Sequence, residues 1–103
     1  MTEEKQKIWD YLIQNCLGAE NAKSVADIAS ACGYPSFGTN DDKFRAIITD
    51  MVKTNKKPIG SCHAGYFVIR TEDERQKAIQ WVKRDSKVVA LEEVELYQPD
   101  RKE

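Results

Sequence analysis

Apolar residues recur at four-residue steps near the start of the chain: Ile8, Leu12 and Cys16, with Trp9, Ile13 and Leu17 beside them. That spacing puts them on one face of a helix. It predicts a helix over residues 5–17, with Thr2 at its start and Gly18 as its glycine stop. Residues 19–23 read as a polar connection. Ser24 then fits an N-cap with Asp27 three positions on. Val25, Ile28, Ala29 and Cys32 form the buried face of a short helix ending at Gly33. Ala26, Ala29 and Ala31 are small enough to let a second helix cross it closely. Residues 34–39 carry one Pro, one Gly and two hydroxyl residues and read as a loop. Asn40 caps a third helix, 41–54, whose core stripe is Phe44, Ile47, Ile48 and Met51 with Val52 at the margin. Its opposite face carries Asp42, Lys43, Arg45, Thr49, Asp50 and Lys53.

The pattern changes at Pro58, which cannot continue a helix and biases Lys57 toward extended backbone. Ile59 to Cys62 is a short extended run. His63, Ala64 and Gly65 make a three-residue turn in which Gly65 takes positive φ. Tyr66, Phe67, Val68 and Ile69 are four aromatic or β-branched residues in a row, the strongest strand signal in the chain. Thr71 and Glu74 form a capping box, the Glu74 carboxylate reaching back toward the helix start. Ala78, Ile79, Val82, Val89 and Leu96, with Trp81, Val88 and Leu91, then recur at three- and four-residue steps, and neither Pro nor Gly intervenes before Pro99. This predicts one helix of about 25 residues, well beyond the ~11–12 of an average helix; a break near Arg84, Asp85 and Ser86 is the alternative. So long a helix cannot bury its whole stripe on a small domain. Its second half predicts a homodimer through Val88, Val89, Leu91 and Leu96, with folding back on the first helix as the alternative.

The order helix, short helix, helix, hairpin, helix resembles the winged helix-turn-helix family. The likeness is strongest over Pro58-Ile59-Gly60-Ser61, Gly65-Tyr66-Phe67 and Thr71 with Glu74, which look like the version found in many bacterial and phage regulators. The resemblance covers residues 5–83. It implies a mainly α fold with a small β-hairpin: a three-helix core, a two-stranded wing and a long C-terminal helix. Residues 1–85 would be the winged-helix domain and 86–103 a C-terminal helical extension serving dimerisation. It further implies a sequence-specific double-stranded DNA-binding protein, a transcriptional regulator of bacterial or phage origin. Helix 41–54 would enter the major groove, which is wide enough for one helix. Lys43, Arg45, Thr49 and Lys53 face outward there. Arg45 could fork onto guanine, and Lys43 and Lys53 could neutralise phosphates. Ser36, Thr39 and Asn40 would donate to phosphate at the helix mouth. The turn at His63 would lie on the DNA backbone or in the minor groove, with Lys56 and Lys57 at the root of the wing. A winged-helix adaptor that binds a protein instead of DNA is the alternative.

Composition narrows this picture. At 103 residues, 41% hydrophobic and 32% charged, the chain fits one soluble domain with a modest core. No apolar run approaches the ~18 residues of a membrane span. The first residues lack the apolar region of a signal peptide. Three cysteines without paired spacing suit reduced thiols and a cytoplasmic location. The net charge of −1 means that any nucleic-acid contact comes from a local patch. Residues 41–69 supply one: Lys43, Arg45, Lys53, Lys56 and Lys57 against Asp41, Asp42 and Asp50, with negative segments on both sides. Asp41 and Asp42 suit a helix N-terminus but would repel phosphate. Catalysis finds little support. His63, on the hairpin turn, is adjacent to Cys62, and neighbouring strand residues point to opposite faces, which ill suits a nucleophile–base pair. Cys16, Cys32, Cys62 and His63 sit on separate elements with spacing unlike a zinc finger or ribbon. The expectation is a non-enzyme with no cofactor, metal or membrane contact.

Overall fold

The Thr2 hydroxyl accepts the Lys5 amide at 3.2 Å, and this cap opens α1 (Glu3–Asn15) in a computed structural model that describes residues 2–33, 39–82 and 87–98. A single 3-10 turn (Ala19–Asn21) leads to α2 (Val25–Ala31), where Ser24 caps as its spacing predicts, accepting the Asp27 amide at 3.1 Å. Then come α3 (Thr39–Lys53), the hairpin strands β1 (Ile59–Cys62) and β2 (Gly65–Val68), and two further helices, α4 (Glu72–Val82) and α5 (Lys87–Glu93). The described chain is therefore mainly helical with one two-stranded antiparallel hairpin.

The periodicity runs two residues past the true end of α1. The chain leaves the helix at Cys16 because β2 offers it strand partners. The Val68 amide donates to the Cys16 carbonyl at 2.8 Å, and the Gly18 amide donates to the Val68 carbonyl at 2.9 Å. Five residues on, Lys23 and Tyr66 exchange a second pair of backbone hydrogen bonds at 3.1 and 2.8 Å. The segment read as a passive polar connection thus lines the free edge of β2. It satisfies backbone groups that an exposed strand edge would leave open. The hairpin itself pairs Ile59 with Val68 through Cys62 with Gly65. Its loop is two residues, His63 and Ala64, rather than the expected three, because Gly65 already pairs in the strand.

One apolar core joins all these elements. Ile8 and Leu12 of α1, Ile28 of α2, Phe44, Ile48 and Met51 of α3, Phe67 and Val68 of β2, Ala78 of α4 and Leu91 of α5 are all buried in it. Helix α4 lies across β1. Gly60 makes this approach possible, since a Cβ there would stand 2.6 Å from the Ala78 Cβ. No polar or charged residue is buried among the described residues.

The long C-terminal helix is corrected. Arg75 on α4 donates through Nη1 to the carbonyls of Leu91 at 2.7 Å and Glu92 at 3.0 Å, the end of α5. In one continuous helix those groups would stand about 24 Å apart. α4 and α5 are therefore two helices packed against each other rather than one; Arg84, Asp85 and Ser86, where a break was the alternative, lie outside the described residues. Leu91 and Val94, each 2% exposed, explain the packing of α5 back on the core. Burying such side chains contributes about 1.5–3 kcal/mol each, and a straight helix would leave them in water. The Tyr97 amide donates to the Ile69 carbonyl at 2.9 Å, and its ring meets Trp9 of α1 edge-on, centroids 5.7 Å apart. Of the stripe read as a dimer face, Leu91 is buried within the chain itself, Val88 and Leu96 are half-buried, and Val89 is exposed.

Candidate nucleic-acid interface

Burial of Phe44, Ile48, Met51 and Val52 fixes how α3 is rotated about its axis. The residues left facing solvent are Asp42, Lys43, Arg45, Ala46, Asp50 and Lys53, with Thr49 half-buried. Asp50 does not stand as a bare charge on this face. It accepts from Lys5 Nζ of α1 and from Thr54 Oγ1 at 2.7 Å, and the Lys5 hydrogen bond is the main reason its carboxyl lies below the usual aspartate range. Lys5 is completed by Asn55 Oδ1 at 3.0 Å. Ser36 lies outside the described residues. Thr39 and Asn40 begin α3, and their side chains also lie outside what is described.

The hairpin turn stands beside this face. Arg45 of α3 and His63 and Ala64 of the turn line one open groove of about 410 Å³, together with Ser24 and Trp81. The turn is held there by backbone. Gly65 has φ +129°, and a Cβ at that position would fall 1.9 Å from the Lys23 carbonyl oxygen. Glycine is thus required twice over, for its conformation and for the closeness of residue 23.

Lys56 and Lys57 are elsewhere. They precede β1, at the end of the hairpin away from the turn, about 13 Å along a four-residue strand. Lys57 Nζ sits 5.0 Å from the centroid of the Trp9 ring, and Lys56 Nζ lies 3.7 Å from Glu93 Oε1. The structure gathers Arg45 and His63 into one groove and leaves these two lysines outside it.

Sequence reasoning missed Trp81. It joins the core helix pattern by spacing, yet it is 55% exposed. At 100° per residue it lies roughly 110° from the centre of the stripe made by Arg75, Ala78, Ile79 and Val82, on the side of Lys77. That offset was the available signal. Trp81, Cys62, His63 and Ala64 also border a second concavity, together with Ala19, Glu20, Lys77 and Gln80.

The thiols are dispersed. Cys16 and Cys32 are buried in the core, and burial pushes both thiols up, which disfavours the reactive thiolate. Cys62 is half-buried on β1. Among the described residues no group of three or more His, Cys, Asp or Glu is drawn together as for a metal ion. None of their helices is long and apolar enough to cross a membrane. Comparison with protein-family models, curated proteins and solved structures yields no match for this chain.

Proposed function

We propose that this chain is a winged-helix protein that binds double-stranded DNA with sequence preference, as a regulator of bacterial or phage type working in the cytoplasm. Helix α3 enters the major groove with Arg45 toward base edges and Lys43 toward phosphate. The turn at His63 and Ala64 follows the DNA backbone beside it. The observation that carries this reading is that Arg45 and the hairpin turn, from separate elements, border the same open groove. A duplex can then be met by a helix and a β-turn at once, one reading base edges and the other fixing register. The pairing of Asp50 with Lys5 supports it further, since it compensates one of the carboxylates on the α3 face.

A random duplex pool retained on the protein in a gel shift tests the reading. Retention should weaken steeply with salt, and Arg45→Ala with Lys43→Ala should abolish it while the circular dichroism spectrum stays unchanged. Undiminished retention by the double variant would remove α3 from the groove. A protein partner is the second reading, and the exposed Trp81 favours it, since Trp is enriched at interface hot spots.

A further inference from the structure

Trp81 presents an exposed indole on α4, beside a turn whose tip residues His63 and Ala64 are exposed as well. Ring and turn together border both concavities described above and form the ridge they share, with Arg45 bordering the first and Lys77 the second. Lys77 and Trp81 are four residues apart on α4 and share a face. Gln80 adds an amide that can donate and accept. The carboxylate bordering the second concavity, Glu20, lies 3.6 Å from Arg70 Nη2, which compensates it. A flat aromatic face flanked by two exposed cations and an amide fits an unpaired nucleobase with its phosphates. Stacking on an aromatic ring needs a free π-face, which a base inside an intact duplex does not offer.

We propose that the Trp81 ridge is a stacking site for an unpaired nucleotide, so that the DNA bound is a duplex carrying a single-stranded end. Trp81 stacks on the first unpaired base, Lys77 meets the phosphate that follows it, and α3 holds the adjoining duplex. This rests on the DNA reading given above and narrows its substrate class. The argument for a nucleic acid over a protein at this ridge is charge: each of the two concavities the indole borders carries an exposed cation, Arg45 or Lys77, and the one carboxylate bordering them among the described residues, Glu20, is paired with Arg70.

The test compares a blunt duplex, taken from the retained pool and trimmed to its protected footprint, with the same duplex carrying a short oligothymidine tail on either strand. One of the tailed forms should bind at least about fivefold tighter and should quench tryptophan emission, with buried Trp9 as a constant background. Trp81→Ala should make tailed and blunt duplexes bind alike, and Trp81→Phe should retain part of the difference. Equal affinity for tailed and blunt duplex overturns the inference and leaves the DNA reading standing, as does a gain that survives Trp81→Ala. If the blunt duplex is not bound but oligothymidine alone is, in a Trp81-dependent way, the stacking site stands and the duplex reading falls. Binding of neither overturns both. Self-association lost in Trp81→Ala by light scattering would assign the ridge to a second copy and overturn the inference.

Discussion

The Glu74 carboxylate and the Ala19 amide, 55 residues apart in the chain, meet at 2.8 Å. The other carboxylate oxygen accepts the Arg70 amide at 2.8 Å, while the Glu74 amide donates to the Thr71 hydroxyl at 3.2 Å. The capping box therefore forms on its hydroxyl side. Its carboxylate reaches one residue beyond the cap and also pins the start of α4 to the 3-10 turn. Hydrogen bonds to charged groups contribute ~1.5–3 kcal/mol, and removing the acceptor strands two amides. Glu74→Ala should lower stability by about 2–3 kcal/mol in urea unfolding. Glu74→Gln, which keeps one acceptor oxygen, should cost about half as much. An alanine variant as stable as the parent would show that water replaces the carboxylate at no loss.

Gly65 sets the position of the hairpin turn. Any side chain there meets both a positive φ and the Lys23 backbone, with the Cβ only 2.3 Å from the Lys23 carbonyl carbon. Gly65→Ala must then displace the Lys23–Tyr66 backbone pair. It should cost more than about 2 kcal/mol. The amides of Lys23 and Tyr66 should also lose hydrogen-exchange protection ahead of the helices. Retained protection at both amides would contradict the close approach.

What the sequence made legible was local. Thr2, Ser24 and Thr71 announce helix starts by side-chain chemistry within three residues, and all three accept the expected amide. The hairpin follows from Pro58, Gly65 and the β-branched run. The bridges from Leu17 and Lys23 to β2 were not legible, because each is a single pair that leaves no alternation to detect. The separation of α4 from α5 was legible only as an alternative, the break near Arg84, Asp85 and Ser86, because the apolar period runs on from one helix to the other; what favours two helices is that Leu91 and Val94 reach a core built from distant segments. At the candidate site, Arg45 and His63 could be read from element order. The diversion of Lys57 to Trp9 and Lys56 to Glu93 could not, since those partners are tens of residues away.

The Lys5–Asp50 pair should leave a signature in acid. Hydrogen bonds from Lys5 and then Thr54 hold the Asp50 carboxyl below its ordinary value in the folded chain. In the window below about pH 3.9, the ordinary aspartate value, the unfolded chain therefore binds the proton first. Stability from this group is present above that window and is lost as pH falls through the folded pKa. Asp50→Asn should flatten the acid limb of a melting-temperature profile while leaving α3 helical. A profile of unchanged steepness would show that the pair contributes nothing to folding. The same variant should leave DNA affinity intact or raise it, because it removes a carboxylate from the outer face of α3.

Salt dependence tests the proposed DNA path by separating exposed lysines of α3 from lysines that hold the fold. Each phosphate neutralised by a lysine or arginine contributes about −0.9 to the slope of log affinity against log salt. Lys43 and Arg45 are exposed on α3, whereas Lys57 leans on the Trp9 ring. Lys43→Ala should thus make the slope shallower by about 1 and weaken binding to all duplexes alike. Arg45→Ala should do something different: relax preference at one base pair at a cost of ~1–3 kcal/mol against the preferred sequence, the range of a bidentate contact to guanine. Lys57→Ala should leave the slope untouched and cost about 0.5–1 kcal/mol of folding stability through the lost contact with the ring. Isothermal titrations of the three variants over a salt series, paired with urea melts, resolve these patterns. A Lys57→Ala slope change equal to that of Lys43→Ala would place the DNA path along the root of the hairpin instead of its turn.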